Sequence, residues 1–330
     1  MNRTVARCAA LLSTLLGTLL GSLGLISGAH AQTFPSRPMT FVSPFGPGPA
    51  GDQLARTMAK LVADETKQPV IVENKAGANG IIGVDFVAKA PPDGYTILIT
   101  SSATQVLNPH LYKKLPYDAI KDFVALTSLG GGSLTMSVNA RSSFRNVADV
   151  VEYARKNPGK MTVGSHTAVT RMAGELLQQL TGVQMLNVNY KALPPGVVDL
   201  LGGQIDLLFP AVDIIAPHIK AGTVRALAVT GKQRMRELLP DVPTIEESGV
   251  KGYDMTFWYG AYAPARTPAA VVSRLRELLV SAAGKPDMAR FFTQNALAPL
   301  PQAATEFPAF QANELEKWGQ VIRKAQIPPE

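Results

Sequence analysis

Short apolar runs alternate with amphipathic stretches along most of the chain, and the two periods can be told apart. Met39-Thr40-Phe41-Val42 reads as a strand, and Leu54, Met58, Leu61 and Val62 then recur at helical spacing, which predicts a helix over 52–65. "PVIVEN" predicts a second strand, 80–90 a second helix and "GYTILITS" a third strand. The β-prone run "VALTSLGGGSLTMSVN" holds Gly130, Gly131 and Gly132, where a bend between two lobes is expected. The alternation resumes with helix 146–157, strand "MTVGS", helix 169–181, strand "LNVNY" and helix 194–201. Strand "IDLLF", a helix near 211–221 and strand "VRALAVT" follow. "FWYGAYAP" reads as a strand returning to the first set. Thr267 and Pro268 read as the N-cap and first residue of another helix, and Leu315, Trp318 and Ile322 as the buried stripe of the last one.

Strands and helices in this order argue an α/β fold with mostly parallel sheets flanked by helices. Two such sets imply two lobes, residues 32–132 plus 258–330 and residues 133–257, joined by two crossings. Ligands of open α/β sheets sit at the carboxyl ends of strands. In two lobes those ends can face each other across a cleft that closes by a hinge.

The first 31 residues stand outside this pattern. Arg3 and Arg7, the apolar "LLSTLLGTLLGSLGLISG" and the small-residue end Ala29-His30-Ala31 make a secretory signal peptide, with cleavage expected before Gln32 and delivery to the periplasm. The single cysteine, Cys8, belongs to that leader, so disulfide and thiolate chemistry are excluded from the exported chain. A formal charge of +7 without Lys/Arg runs favours small anions or an acidic surface and argues against nucleic acid.

Gly46, Gly48 and Gly51 have dinucleotide-loop spacing, and Glu73 ends the next strand where a ribose would be held. The loop is unsuited to a pyrophosphate, however. Pro47 and Pro49 remove two N–H donors, and Asp52, read as the helix N-cap, competes with phosphate for the helix's positive end. An exported chain also rarely meets nicotinamide cofactors, so no cofactor is expected. His110, His166 and His218 share no metal-ligand spacing, and no HExxH, Gly-x-Ser-x-Gly or GxxxxGK[ST] motif occurs. Neither a metal nor a catalytic set is expected, and the chain reads as a binding protein. What recurs is a strand running into a loop of small polar residues at a helix start: 43–52, "TSSATQ" and "GSHTAVT". Such loops offer N–H groups and hydroxyls to an anion.

The stretches "FPSRPMTFVSPFGPGPAGDQLAR", "VENKAGANGIIGVDFVAKAPPDGYTILI", "LPYDAIKDF" and "YKALPPGVVDLLGGQIDLLF" are similar, in this order, to blocks of one family. So are "HIKAGTVRALAVTGKQRMRELLPDVPTIEESG" and "WYGAYAPARTP". Essentially the whole chain resembles the periplasmic solute receptors of tripartite tricarboxylate transporters, the Bug proteins. The resemblance implies a two-lobed, type II-like periplasmic binding protein that closes on a small organic carboxylate and delivers it to membrane permease subunits. Presentation to a sensor protein is the alternative, and an exported enzyme acting on an organic acid or ester is the alternative from another class.

Carried onto this sequence, the resemblance implies a first contact loop from Phe45 to Asp52, including Gly46, Gly48, Ala50 and Gly51. A second set is Ser101, Ser102 and Thr104 with Gln105 beside them. A third is Ser165, His166, Thr167 and Thr170, and Tyr190 is a fourth. Plainer readings stand beside these: Asp52 as a helix cap, the Ser101–Thr104 hydroxyls as turn partners, Tyr190 as core, Trp258 and Tyr259 as lobe packing. The family's first loop usually has two adjacent glycines where this chain has Gly48-Pro49. Its third loop usually reads Ser-Gly-x-Gly with a histidine at the helix start. Here Arg171 takes the histidine's place, and Asn189 and Ala192 replace a usual proline and glycine. Arg171 is expected to pair with a second acid group of the ligand, because a guanidinium suits bidentate carboxylate recognition.

Overall fold

The computed structural model describes residues 34–300 and 302–329, so the leader expected at 1–31 lies outside the described residues. One sheet holds β1 (Met39–Ser43), β2 (Val70–Asn74), β3 (Thr96–Ser101), β4 (Phe123–Ser133), β10 (Thr256–Pro264) and β11 (Leu297–Ala298). Their order is β11-β4-β10-β3-β1-β2. The other, ordered β7-β6-β8-β5-β9, holds β5 (Thr135–Asn139), β6 (Thr162–Ser165), β7 (Leu186–Asn189), β8 (Leu207–Leu208) and β9 (Val224–Val229).

Both sheets are mixed, with more antiparallel pairing than the alternation suggested. β1 runs parallel to β2 and β3, and β6 runs parallel to β7 and β8. β10 opposes both β3 and β4, while β5 opposes both β8 and β9. The cause is the double crossing. A strand that returns to a sheet from the other lobe must run against the strands that leave it.

The helices are α1 (Ala50–Thr66), α2 (Ile81–Ala88), α3 (Asn108–Leu111), α4 (Val147–Lys156), α5 (Ala168–Thr181), α6 (Leu193–Gly202) and α7 (Val212–Lys220). α8 (Ala269–Ala283), α9 (Pro286–Gln294) and α10 (Phe307–Lys324) complete the set among the described residues. A π-helical turn, Ala103–Leu107, leads into α3. That turn, α3, α9 and β11 lack a long periodic pattern in the sequence. Thr267 does not cap α8 as expected. Its hydroxyl turns back to the Pro264 carbonyl at 2.7 Å, which leaves Pro268 as the N-cap.

The triple glycine also differs from the expected bend. Gly130, Gly131 and Gly132 are paired residues of β4, opposite Tyr259, Trp258 and Phe257. A Cβ on Gly130 would lie 2.7 Å from the Phe292 ring, and one on Gly131 would lie 2.6 Å from the Phe257 carbonyl. These glycines let neighbours close over the strand. The crossing comes after them, at Leu134.

Thr230, just past β9, clamps that crossing. Its Oγ1 accepts from Leu134 N at 2.8 Å and donates to the Met255 carbonyl at 2.8 Å, so one hydroxyl ties both connecting segments. α5 and α10 join the lobes as well, through Gln179 Nε2 to the Val321 carbonyl, and the Tyr253 hydroxyl ties the return segment to α5 through the Ala173 carbonyl. Trp258 is fully buried with its ring centroid 5.4 Å from Phe307 and 5.6 Å from Phe310, the packing role read from the sequence. Truncating it would cost about 3–5 kcal/mol.

Candidate functional site

Strand register decides where the strand ends meet. Tyr259 of β10 stands opposite Ser101, the last residue of β3, and opposite Gly130 of β4. β4 therefore continues about three residues past the carboxyl edge of β3 before the crossing. On the other side, Ser137 pairs with Leu208, and Thr135 N donates to the Pro210 carbonyl at 2.8 Å. β5 thus begins beyond the carboxyl end of β8. Leu134 itself bridges Ala211. Both sheets turn the carboxyl ends of their parallel strands toward this one crossing, and the predicted loops lie at those ends.

The first loop is built by its own chemistry. Asp52 is not the N-cap of α1: Pro49 is, its carbonyl accepting from Asp52 N at 2.9 Å and Gln53 N at 3.1 Å, so the helix begins two residues earlier. The buried Asp52 carboxylate reaches back to Gly48 N at 2.9 Å and accepts from Asn74 Nδ2 at 2.6 Å and Arg56 Nε at 3.1 Å. Burial alone would raise this acid, but Asn74, Gly48 and Arg56 outweigh it and hold the carboxyl below its ordinary value. Asn74 Nδ2 also donates to the Phe45 carbonyl at 3.0 Å. Gly48, at φ +107°, takes a backbone shape that few other residues tolerate. Phe45 lies over Gly51 and meets Tyr259 edge-on at 6.0 Å. Asp52 is thus a brace inside the loop, and a loop held this way presents fixed N–H groups.

The second set is mostly turned inward. Thr104 Oγ1 meets Thr100 Oγ1 at 2.7 Å and the Ser101 carbonyl at 3.1 Å, and Ser102 Oγ accepts from Trp258 N at 3.4 Å. Gln105 is fully buried. Its Oε1 accepts from Gln311 at 3.4 Å while its Nε2 has no partner among the described residues.

At the third loop, Thr167 and Thr170 form a capping box for α5, and Thr170 Oγ1 also accepts from His166 N at 3.0 Å. Those hydroxyls serve the helix start. Ser165 Oγ, His166 Nδ1 and Arg171 Nε have no hydrogen-bond partner among the described residues, although Glu175 stands 3.6 Å from Arg171 Nε. Burial lowers the His166 pKa and keeps the ring neutral at pH 7, and burial raises Glu175 despite its arginine neighbour. The Tyr190 hydroxyl donates to Asp199 at 2.7 Å, and burial with that carboxylate pushes the phenol up to about 12. Tyr190 is committed within its own lobe.

Sequence reasoning missed three residues at this crossing. Ser43 ends β1 fully buried, with its Oγ unpartnered among the described residues. It was legible as the polar terminus of an apolar run. Tyr259 was read only as packing. Asp213, in the first turn of α7, carries a charge close enough to raise the Tyr259 phenol further above the value that burial sets. Two surface depressions of about 420 and 630 Å³ lie elsewhere. The first, around Asn139, Arg141 and Asp206, opens at the opposite edge of the second sheet, and the other lies around Thr267 and Arg276.

Two α/β lobes, joined by two crossings and opening their strand ends toward each other, define a two-lobed solute-binding protein. The family of tripartite tricarboxylate transporter receptors (TctC) matches residues 54–327, and the chain belongs to it. A UPF0065 protein of Pseudomonas sp. (strain P51) is 37% identical over 292 residues, which is 88% of this chain and 86% of that one. The periplasmic binding protein BugD superposes with a TM-score of 0.73 at 32% identity, covering 90% of this chain and 100% of its own. An R. palustris protein solved with adipate superposes with a TM-score of 0.76 at 29% identity, with the same coverage. Among the described residues no helix is long and apolar enough to cross a membrane.

Proposed function

We propose that the chain is an extracytoplasmic receptor that captures a small organic carboxylate between its lobes and delivers it, unchanged, to the membrane permease of a tripartite transporter. In this reading residues 1–31 direct export to the periplasm and are removed. The lobes are residues 32–132 with 258–330, and residues 133–257, closing about the Leu134 crossing.

One observation carries the reading. Ser43 Oγ and Ser165 Oγ are buried and unpartnered among the described residues, and each is the last residue of a strand, β1 in one sheet and β6 in the other, whose carboxyl end runs out toward the crossing. Unpartnered buried donors cost roughly 1–3 kcal/mol each, and a carboxylate accepting from them would recover that cost. Around them, the N–H groups of Gly46, Ala50 and Gly51 and the Ser101 and His166 side chains complete a largely neutral donor set, while Gly48 N–H stays with the Asp52 carboxylate that braces the loop. Arg171 adds positive charge from the second lobe. That a relative of this fold was solved with adipate supports the ligand class.

Micromolar capture needs about 8 kcal/mol net, within reach of a handful of charge-assisted hydrogen bonds. The test is a thermal-shift and calorimetry screen of the exported chain against carboxylates, amides and sugars. A ligand of the folded state raises Tm by mass action. Stabilisation by carboxylates, with the bound compound recovered intact, supports the reading. Stabilisation by an uncharged compound alone, or turnover of the acid, rejects it.

A further inference from the structure

The wall of this crossing carries an acid that a carboxylate site would not need. Asp213 follows β8 in the first turn of α7, two residues after Ala211, which bridges Leu134 at the crossing. β8 is parallel to β6 through the pair Gly164 and Leu208, so α7 starts at the same sheet edge as the buried, unpartnered Ser165 hydroxyl. Tyr259 approaches from the other lobe. It stands opposite Gly130, a few residues before Leu134, with Phe45 at 6.0 Å and Phe257 at 6.1 Å around its ring. Asp213 is close enough for its charge to act on that phenol. Asp213 and Ile214 are exposed on this turn, while Val212 and Ile215 anchor it in the core.

The two charged groups of the second lobe differ in how they are met. Arg171 already has Glu175 beside it. Asp213 forms no ion pair among the described residues, and it is solvent-exposed while the protein crowded around it raises its carboxyl above the ordinary range. A helix start favours an anion, and the backbone N–H groups of Asp213 and Ile214 do lower this carboxyl, yet desolvation outweighs them.

Building on the carboxylate reading, we propose that Asp213 is a specificity residue: the far end of the ligand carries a hydrogen-bond donor, an ammonium foremost, and a second carboxylate at that end is rejected. Like charges brought together in a cleft that closes over them repel strongly, whereas an ammonium facing Asp213 gains a charge-assisted bond. One acid wall group thus attracts one class of ligand and excludes another.

The experiment is calorimetry on the exported chain at pH 7.5 with length-matched probes. Succinate is set against 4-aminobutanoate, glutarate against 5-aminopentanoate, and adipate against 6-aminohexanoate, with hexanoate as a one-ended control. In at least one pair the amino acid binds ten times more tightly than the dicarboxylate or better. Asp213→Asn cuts that preference about tenfold or reverses it, and hexanoate affinity stays within about twofold. The wild-type series stands without any variant, and the circular dichroism and Tm of Asp213→Asn check its fold. Dicarboxylates that bind as well as their amino partners in every pair, or a preference untouched by Asp213→Asn, overturn the inference and leave the carboxylate reading intact. If no acid of either kind binds, both fall together.

Discussion

Asp52 and Asp213 occupy the same local position in the two lobes: each stands in the first turn of a helix that follows a strand running toward the crossing. Their surroundings are opposite. Asp52 is 2% exposed, fully partnered by Gly48, Asn74 and Arg56, and held below its ordinary pKa. Asp213 is exposed, unpaired by any cation among the described residues, and held above its ordinary pKa by desolvation. One braces its loop, and the other meets only backbone N–H groups at the start of its own helix. The pair shows that helix position alone does not assign a role to a carboxylate. The partners supplied by distant strands do, and here Asn74 at the end of β2 makes the difference.

The strongest way to break this contrast is Asp52→Ala. It strands Gly48 N–H and the Asn74 amide and removes a paired buried charge, so the protein should lose about 3 kcal/mol. Because the folded pKa is depressed, the stabilisation is present above the ordinary value of 3.8 and fades as pH falls through the lower folded value. Urea unfolding at pH 7 and at about pH 3 should therefore show the gap between wild type and variant narrowing in acid. A constant gap would mean that packing, not charge, is what Asp52 supplies.

Arg171→Ala probes the cation on the second lobe's side. Carboxylate affinity should fall about tenfold, or ~1.4 kcal/mol. Stability should change by no more than about 0.5 kcal/mol, because the side chain is partly exposed and its pairing with Glu175 is long. If diacids lose more than monoacids, the arginine takes a second acid group. Undiminished binding of both would remove it from the site. A smaller effect is expected for Thr167→Ala, which breaks the α5 capping box and should cost about 1 kcal/mol in chemical denaturation. Since Ser165 and His166 lie at that helix start, ligand affinity should fall with it.

How much of this was legible in the sequence follows the range of the interactions. The long strands and helices follow from local periodicity, and "GSHTAVT" was visible as a polar loop at a helix start. The mixed sheets were not, because strand direction is set by a return path more than a hundred residues later in the chain, as Ser101 facing Tyr259 illustrates. The triple glycine invited a hinge, yet its reason is the close approach of Phe257 and Phe292, which no local pattern encodes. Among the predicted contacts, Thr104 and Tyr190 have hydroxyls already engaged by Thr100 and Asp199. Ser43 and Gln105 carry unpartnered atoms. Side-chain type announces polarity, while only the fold reveals which polar groups remain free.

The smallest expected effect is also the sharpest test of the contrast between the two aspartates. Asp213→Asn, in the protein without ligand, should raise Tm slightly at pH 7, the opposite sign to any substitution of Asp52. A carboxyl whose folded pKa is raised binds protons more tightly in the folded state than in the unfolded one. Ionisation therefore weakens folding as pH climbs from the ordinary value of 3.8 to the higher folded value. Above that range the penalty is fully present and the asparagine is free of it. Below 3.8 both side chains are neutral and the two proteins should melt together. Differential scanning calorimetry across pH 3 to 8 reads this directly. A variant less stable than wild type at pH 7 would mean that the start of α7 uses the negative charge of Asp213, and that the helix, not a ligand, is its partner.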